Sequence, residues 1–436
     1  MTAPSSLLTR MPAPPRSSPA TPVDVLFVHT NFPGQFKGVA QHLAQRCGTR
    51  VHAIGSRTAT LVPGINVSRY SVSAQDIAAS HSLARRFELE CRRAEQVMYA
   101  ATQMKLNKVA PKLIFAHSGW GEAIPLRELF PQARLVVYPE FFYRTRGADV
   151  GFDSEAGQLG VDGAVRISLR NAATLLALSD ADAAIAPTHW QKSLFPAEYH
   201  GKFRVIHDGI DTKRLTPGKA TFTDPSTGRS FRTGDEVVTY VARNLEPYRG
   251  FHIFMRALPR IMQERPHAHI LIAGGDGVSY GSLPEGYAGW KEKLMAQLDG
   301  RLDRARLHFL GHLAYDDYVA LLRVSRVHVY LTYPFVLSWS ILEAMALGCI
   351  VVASDTAPVR EVIDDGVTGL LTPFFDTDQL AERIVSVLAN PRRHAPIGRA
   401  AHSRVVEAYD FERQTLPGYM RIVEEVVGAA PAFTRG

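Results

Sequence analysis

The feature that most restricts this chain is a rhythm that runs twice. Apolar runs of strand length alternate with longer stretches of helical periodicity: Val25 to Val28, a helix from Phe36 to Gln45, Val51 to Ile54, and a long helix from Leu83 to Lys108. Leu113 to Ala116, Leu135 to Tyr138, Ala183 to Ala186 and Arg204 to Ile206 continue it. Strands separated by helices pair in parallel, because the crossover helix carries the chain back to the edge it left. The rhythm then stops and resumes with Val237 to Ala242, Ile270 to Ala273, Leu307 to Leu310, Val327 to Leu331 and Ile350 to Ala353. The expected fold class is α/β, with two doubly wound, Rossmann-like domains facing each other across a cleft.

Length agrees, since 436 residues exceed the roughly 250 that one hydrophobic core usually serves. Residues 1–21 are rich in Pro, Ser, Ala and Thr, have little to bury, and are expected to form a mobile tail. The N-terminal domain is expected over 22–211. The polar stretch 212–236, with Pro217, Gly218, Pro225, Gly228 and Gly234, reads as a loop or linker. The second domain is expected over 237–405, and 406–436 reads as a C-terminal helix packing back toward the first.

A hydrophobic fraction of 46% and a charged fraction of 21% exclude wholesale disorder and a fibre. Cys47, Cys91 and Cys349 are odd in number and lack C-x-x-C spacing, which argues against a disulfide scaffold or a zinc site. No apolar run reaches the roughly 18 residues of a membrane span, and the N-terminus lacks the apolar core of a signal peptide, so a cytoplasmic protein is expected. The +7 charge, 49 basic against 42 acidic residues, favours anionic ligands such as phosphate or lipid headgroups, and nucleic acid is not expected. Arg85, Arg86, Arg92, Arg93, Lys105 and Lys108 share the long helix, either as a solvated face or as a peripheral contact with the inner face of a membrane.

The candidate chemistry sits where strands end. After the first strand, Gly34 occupies a turn and Gln35 opens a helix whose free N–H groups can meet negative charge; a plain tight turn would look the same. His117 ends a strand between small residues, at the carboxyl edge of the sheet. Thr188 to Gln191 has capping-box spacing and reads as architecture. In the second half, Arg243 and Arg249 flank one strand-end loop, and two guanidinium groups suit a diphosphate. Gly275 lies in a glycine-rich strand end. From Ser338 to Ser340 a further helix begins, and its positive pole can cradle phosphate. Ser340 and Glu343 also satisfy the S-x-x-E capping box, so spacing alone leaves Glu343 either ligand or cap.

Together the Gly34 turn, the HSGWGE segment at His117, the Arg243/Arg249 loop and SILEAMALGCIVVASD from Ser340 to Asp355 resemble the retaining family 4 glycosyltransferases of the GT-B fold. Pro358, Glu361 and the turn at Asp365, Gly366, Thr368 and Gly369 extend the resemblance over nearly the whole chain after residue 21. It implies a nucleotide diphosphate sugar held by the C-terminal domain and a hydroxyl acceptor, glycan or lipid-linked glycan, held by the N-terminal domain. Glu343 would take the ribose hydroxyls, Arg243 and Arg249 the diphosphate, Ser338, Trp339 and Ser340 would back it, and the backbone at His312 and Leu313 would meet the base. Gly34, Gln35 and Gly275 fall on the donor side, His117 at the transferred sugar, and Glu140 and Tyr143 on the acceptor side. The resemblance implies no metal, and no cofactor beyond the donor is expected. The family usually has a second glutamate eight residues before Glu343, and that position is Phe335. A nucleotide-sugar epimerase of the same fold and a catalytically silent sugar binder are the alternatives.

Overall fold

The computed structural model describes residues 22–73, 77, 79–156 and 159–427. The tail expected over 1–21 and the end of the C-terminal segment, 428–436, lie outside the described residues.

Seven parallel strands form the first sheet: β1 (Val23–Val28), β2 (Thr49–Ser56), β3 (Ile65–Tyr70), β4 (Pro111–His117), β5 (Arg134–Tyr138), β6 (Ala183–Ala186) and β7 (Phe203–Val205). Their order is β3-β2-β1-β4-β5-β6-β7. After a small antiparallel hairpin, β8 (Thr221–Thr223) and β9 (Ser230–Arg232), a second parallel sheet follows. It comprises β10 (Val237–Asn244), β11 (His269–Gly275), β12 (Leu307–Gly311), β13 (Val327–Tyr330), β14 (Ile350–Ser354) and β15 (Leu370–Thr372), in the order β12-β11-β10-β13-β14-β15. Both sheets reverse direction beside their first strand, between β1 and β4 and between β10 and β13. A doubly wound sheet opens its ligand crevice at that point.

Each central strand is apolar on both faces because helices cover both. Phe27 packs with Phe36 and Phe115 on one side of the first sheet, while Leu26 and Val28 join Val97 and Ala101 of the helix Arg85–Leu106 on the other. The helix Leu416–Val427 closes the first of these layers, placing Tyr419, Ile422 and Val423 against Val25, Phe27 and Phe115.

Two stretches differ from expectation. The loop expected over 212–236 contains the β8–β9 hairpin, whose Phe222 and Phe231 are buried with Val237 and Leu271 and so fasten it to the second sheet. Segment 139–156, to which no structure was assigned, leaves the first sheet after β5 and enters the second domain's core. Phe141 and Ala148 are buried there, Tyr248 donates to Asp149 at 3.0 Å, and Tyr333 donates to Asp153 at 2.6 Å. His252 Nε2 lies 3.0 Å from Asp153, and Arg256 forks onto Glu155. Three carboxylates of one domain are thus clipped to the other.

Candidate active site

Two imidazoles flank the crevice of the first sheet, His29 just after β1 and His117 at the end of β4. Their ring centroids are 5.0 Å apart. Backbone N–H groups point at Nδ1 of each ring, Asn31 donating to His29 Nδ1 at 2.9 Å and Gly119 to His117 Nδ1 at 3.3 Å. In both, Nε2 is left as the donor. Burial, with the neighbouring His117 adding to it, pushes His29 down to about 3, so His29 stays neutral at ordinary pH.

Those Nε2 atoms converge on one carboxylate. His29 Nε2 lies 2.8 Å from Gln35 Oε1, Gln35 Nε2 donates to Glu140 Oε1 at 3.0 Å, and His117 Nε2 is 3.5 Å from Glu140 Oε2. Burial pushes Glu140 up, but His117, His29 and Gln35 outweigh it and hold the carboxyl below its usual range. Glu140 has φ +36°, a left-handed conformation that a non-glycine residue adopts against strain. Gly34 makes the network possible. Its φ is +48°, and a Cβ there would stand 2.5 Å from the His29 ring. Gln35, expected at the donor, thus engages His29 and the acceptor-side Glu140.

On the outer side of His117, the Trp120 ring lies 6.3 Å away, and the guanidinium groups of Arg86 and Arg93 sit over it at 5.2 and 5.5 Å. Tyr143 carries Arg170 over its ring at 4.0 Å. The long basic helix is therefore not one free face: two of its arginines turn in toward the crevice, and Arg92 pairs with Glu88.

Across the cleft, Arg243 at the end of β10 is exposed, with no hydrogen bond or ion pair to another described residue. Gly275 packs against His312 and Asn244: a Cβ would come within 2.5 Å of His312 Nε2 and 2.7 Å of Asn244 Oδ1. Arg249 differs from Arg243. It is buried, donates through Nη1 to Thr332 Oγ1 and the Val336 carbonyl, both at 2.9 Å, and so ties two loops together.

The helix Trp339–Ala346 begins where the sequence puts it, but its cap is Ser338, whose Oγ accepts from the Ser340 N–H. The capping-box reading of Ser340 and Glu343 is corrected. Glu343 instead accepts from Tyr315 at 2.8 Å and Tyr318 at 2.7 Å, so its carboxylate is oriented sideways rather than back to the helix start. Removing a cap costs about 1 kcal/mol. Glu343→Ala is expected to leave the melting temperature nearly unchanged and to weaken nucleotide binding at least tenfold. Calorimetric titration checks this, and unaltered affinity would remove Glu343 from the site.

Besides the clips of segment 139–156, further contacts join the two halves. Trp339 Nε1 donates to Asp208 Oδ2 at 2.7 Å, and Tyr138 donates to Asp208 Oδ1 at 2.8 Å. Glu361 receives the His189 and Trp190 N–H groups at 2.6 and 2.9 Å. Phe335, standing where a glutamate is usual, packs edge-on against Phe141 of the bridging segment at 4.7 Å. A carboxylate could not be buried against that ring without a partner, so the aromatic residue and segment 139–156 fit together.

Burial raises Asp208 to about 6, against the pull of its two hydrogen bonds. The folded state therefore binds a proton that the unfolded state has already released between about pH 4 and 6, and this contribution to stability is lost as pH rises through 6. Melting curves of wild type and Asp208→Asn, compared over pH 4 to 7, are expected to show the steeper fall with pH in wild type.

Models of two sequence families cover most of the chain: "Glycosyl transferase family 4 group" matches residues 47–215, and "Glycosyl transferases group 1" matches 227–404. The chain belongs to the family 4 glycosyltransferases. Among curated relatives of this family 4 member, a glycogen synthase of Mycobacterium tuberculosis is 30% identical over 48% of the chain and 45% of its own length. A GDP-mannose-dependent monoacylated alpha-(1-6)-phosphatidylinositol monomannoside mannosyltransferase of Corynebacterium glutamicum is 25% identical over 67% and 72%. The chain spans about half the length of several curated relatives it matches. Among solved structures, sucrose-phosphate synthase of Thermosynechococcus elongatus superposes with a TM-score of 0.68 at 18% identity, covering 94% of the chain and 100% of that structure. Anabaena Alr3699/HepE in complex with UDP and glucose gives 0.64 at 19% identity, covering 92% and 98%. These likenesses establish the GT-B fold.

Proposed function

We propose that this chain transfers a hexosyl unit from a nucleoside diphosphate sugar to an acceptor hydroxyl, with retention of anomeric configuration. The reading is supported by three features of the second domain: Arg243, without a described side-chain partner at the end of β10, which neighbours β13; the serine-capped start of the helix Trp339–Ala346; and the oriented carboxylate of Glu343. Preorganised positive charge there stabilises the leaving diphosphate as the glycosidic bond breaks, without reorganisation at the moment of reaction. In a front-face displacement the departing phosphate oxygen takes the acceptor proton. Glu140, His117 and His29, across the cleft, orient the sugar and the acceptor. Relatives are named for mannosyl transfer to phosphatidylinositol, and a structural neighbour was solved with UDP-glucose, which supports donors of this class.

A thermal-shift panel of nucleoside diphosphates tests donor binding, since only a ligand of the native state raises its melting point. One base should stand out, and slow hydrolysis of the matching nucleotide sugar should follow. No shift with any base would overturn the reading.

A further inference from the structure

We infer that the acceptor carries a phosphate ester, held by Arg86, Arg93 and Arg170 on the Trp120–Tyr143 side of His117. This rests on the glycosyl-transfer reading. Arg86 and Arg93 lie on one helix and stand over Trp120, Arg170 caps the end of the helix Val161–Leu169 and stands over Tyr143, and Glu90 lies within electrostatic reach of all three. Arg86 is anchored by Glu90 at 2.6 Å and the Gly119 carbonyl at 3.1 Å. The other two have weak internal partners: Arg93 reaches the Trp120 carbonyl and Arg170 the Tyr143 hydroxyl, each at 3.5 Å, the outer limit of a hydrogen bond. Their remaining N–H donors have no partner among the described residues. All three side chains are partly exposed.

Glu90 feels all three arginines, Glu122 feels Arg93, and Asp149 feels Arg170, while burial pushes each of these carboxyls above its ordinary range. Ser118 Oγ, one residue before the carbonyl that holds Arg86, is a buried hydroxyl without a hydrogen-bond partner and can donate to an anion. A dianion suits such a place, because phosphate oxygens accept from several guanidinium forks at once. Trp120 spans from the arginines to His117, so a phosphate docked on the former sets the attached molecule's hydroxyls beside the latter.

Titration of the full chain with glucose 6-phosphate, with glucose, and with vesicles of phosphatidylglycerol or phosphatidylcholine tests this. Uridine and guanosine diphosphates are kept saturating so that the donor side is filled. Wild type is expected to bind glucose 6-phosphate at least about tenfold more tightly than glucose, or the anionic vesicles as much more tightly than the zwitterionic ones, whose phosphate charge is balanced by choline, a typical gain for charge-assisted hydrogen bonds. Arg93→Gln and Arg170→Gln should each abolish most of that preference, and Arg93→Lys should keep part of it. Binding of the sugar phosphate assigns a soluble acceptor, and binding of anionic vesicles alone assigns a lipid phosphate. Equal binding of charged and neutral probes, or an unchanged preference in both glutamine variants, overturns the proposal. Donor hydrolysis in the same preparation reports separately on glycosyl transfer, so hydrolysis without phosphate preference sinks this inference alone.

Discussion

Replacing Arg243 with alanine is expected to slow glycosyl transfer roughly a hundredfold to a thousandfold, the loss typical when one preorganised donor is removed from developing charge. The fold should not suffer, because Arg243 is exposed and holds no other described residue. On the proposed function its loss takes a cation away from the leaving diphosphate, and it takes nothing away from the core. Arg249→Ala provides the contrast. That guanidinium ties Thr332 to the Val336 carbonyl below the helix start, so its removal should lower the melting temperature as well as turnover. Steady-state rates and melting curves on the same preparations separate the two. A wild-type rate in Arg243→Ala would remove this residue from the site.

His117→Ala is expected to lower kcat by roughly tenfold to a hundredfold, since small displacements of a reacting group can cost that much, while nucleoside diphosphate binding stays near wild type. The imidazole touches Glu140, Trp120 and Tyr138 in the first domain, and nothing places it on the nucleotide. It is 2% exposed, so packing is a competing role. The kinetic pattern distinguishes them. A positioning role lowers kcat in protein that is fully folded at the assay temperature, whereas a packing role lowers the melting temperature and spares the turnover of the folded fraction.

Both sheets were legible in the sequence, because strands covered on both faces are short unbroken apolar runs, as in Val25 to Val28 and Ile350 to Ala353. The elements that escaped lack that signal. β3, Ile65–Tyr70, is an edge strand with polar residues inside it, and β8 and β9 carry one buried phenylalanine each. Strand-end residues such as His117 and Arg243 could be found because the fold places its crevice there. His29 and Asp208 were within reach of the same argument, one after β1 and one in the turn before the linker, but their meaning depends on partners far off in sequence: Gln35, Glu140 and Trp339. The role of Phe335 was invisible for the same reason. Its neighbour Phe141 is 194 positions away in a segment with no periodicity of its own.

The bridging segment also bears on exchange of parts between relatives. A hybrid cut at the 212–236 connection would carry Phe141, Ala148, Asp149 and Asp153 with its first half, although these residues complete the interior of the second. The recipient half would have to present Tyr248, Tyr333 and an apolar side chain at 335, or leave a hole and unpartnered carboxylates. An intact C-terminal half in such a hybrid is therefore expected only when residues 139–156 travel with it.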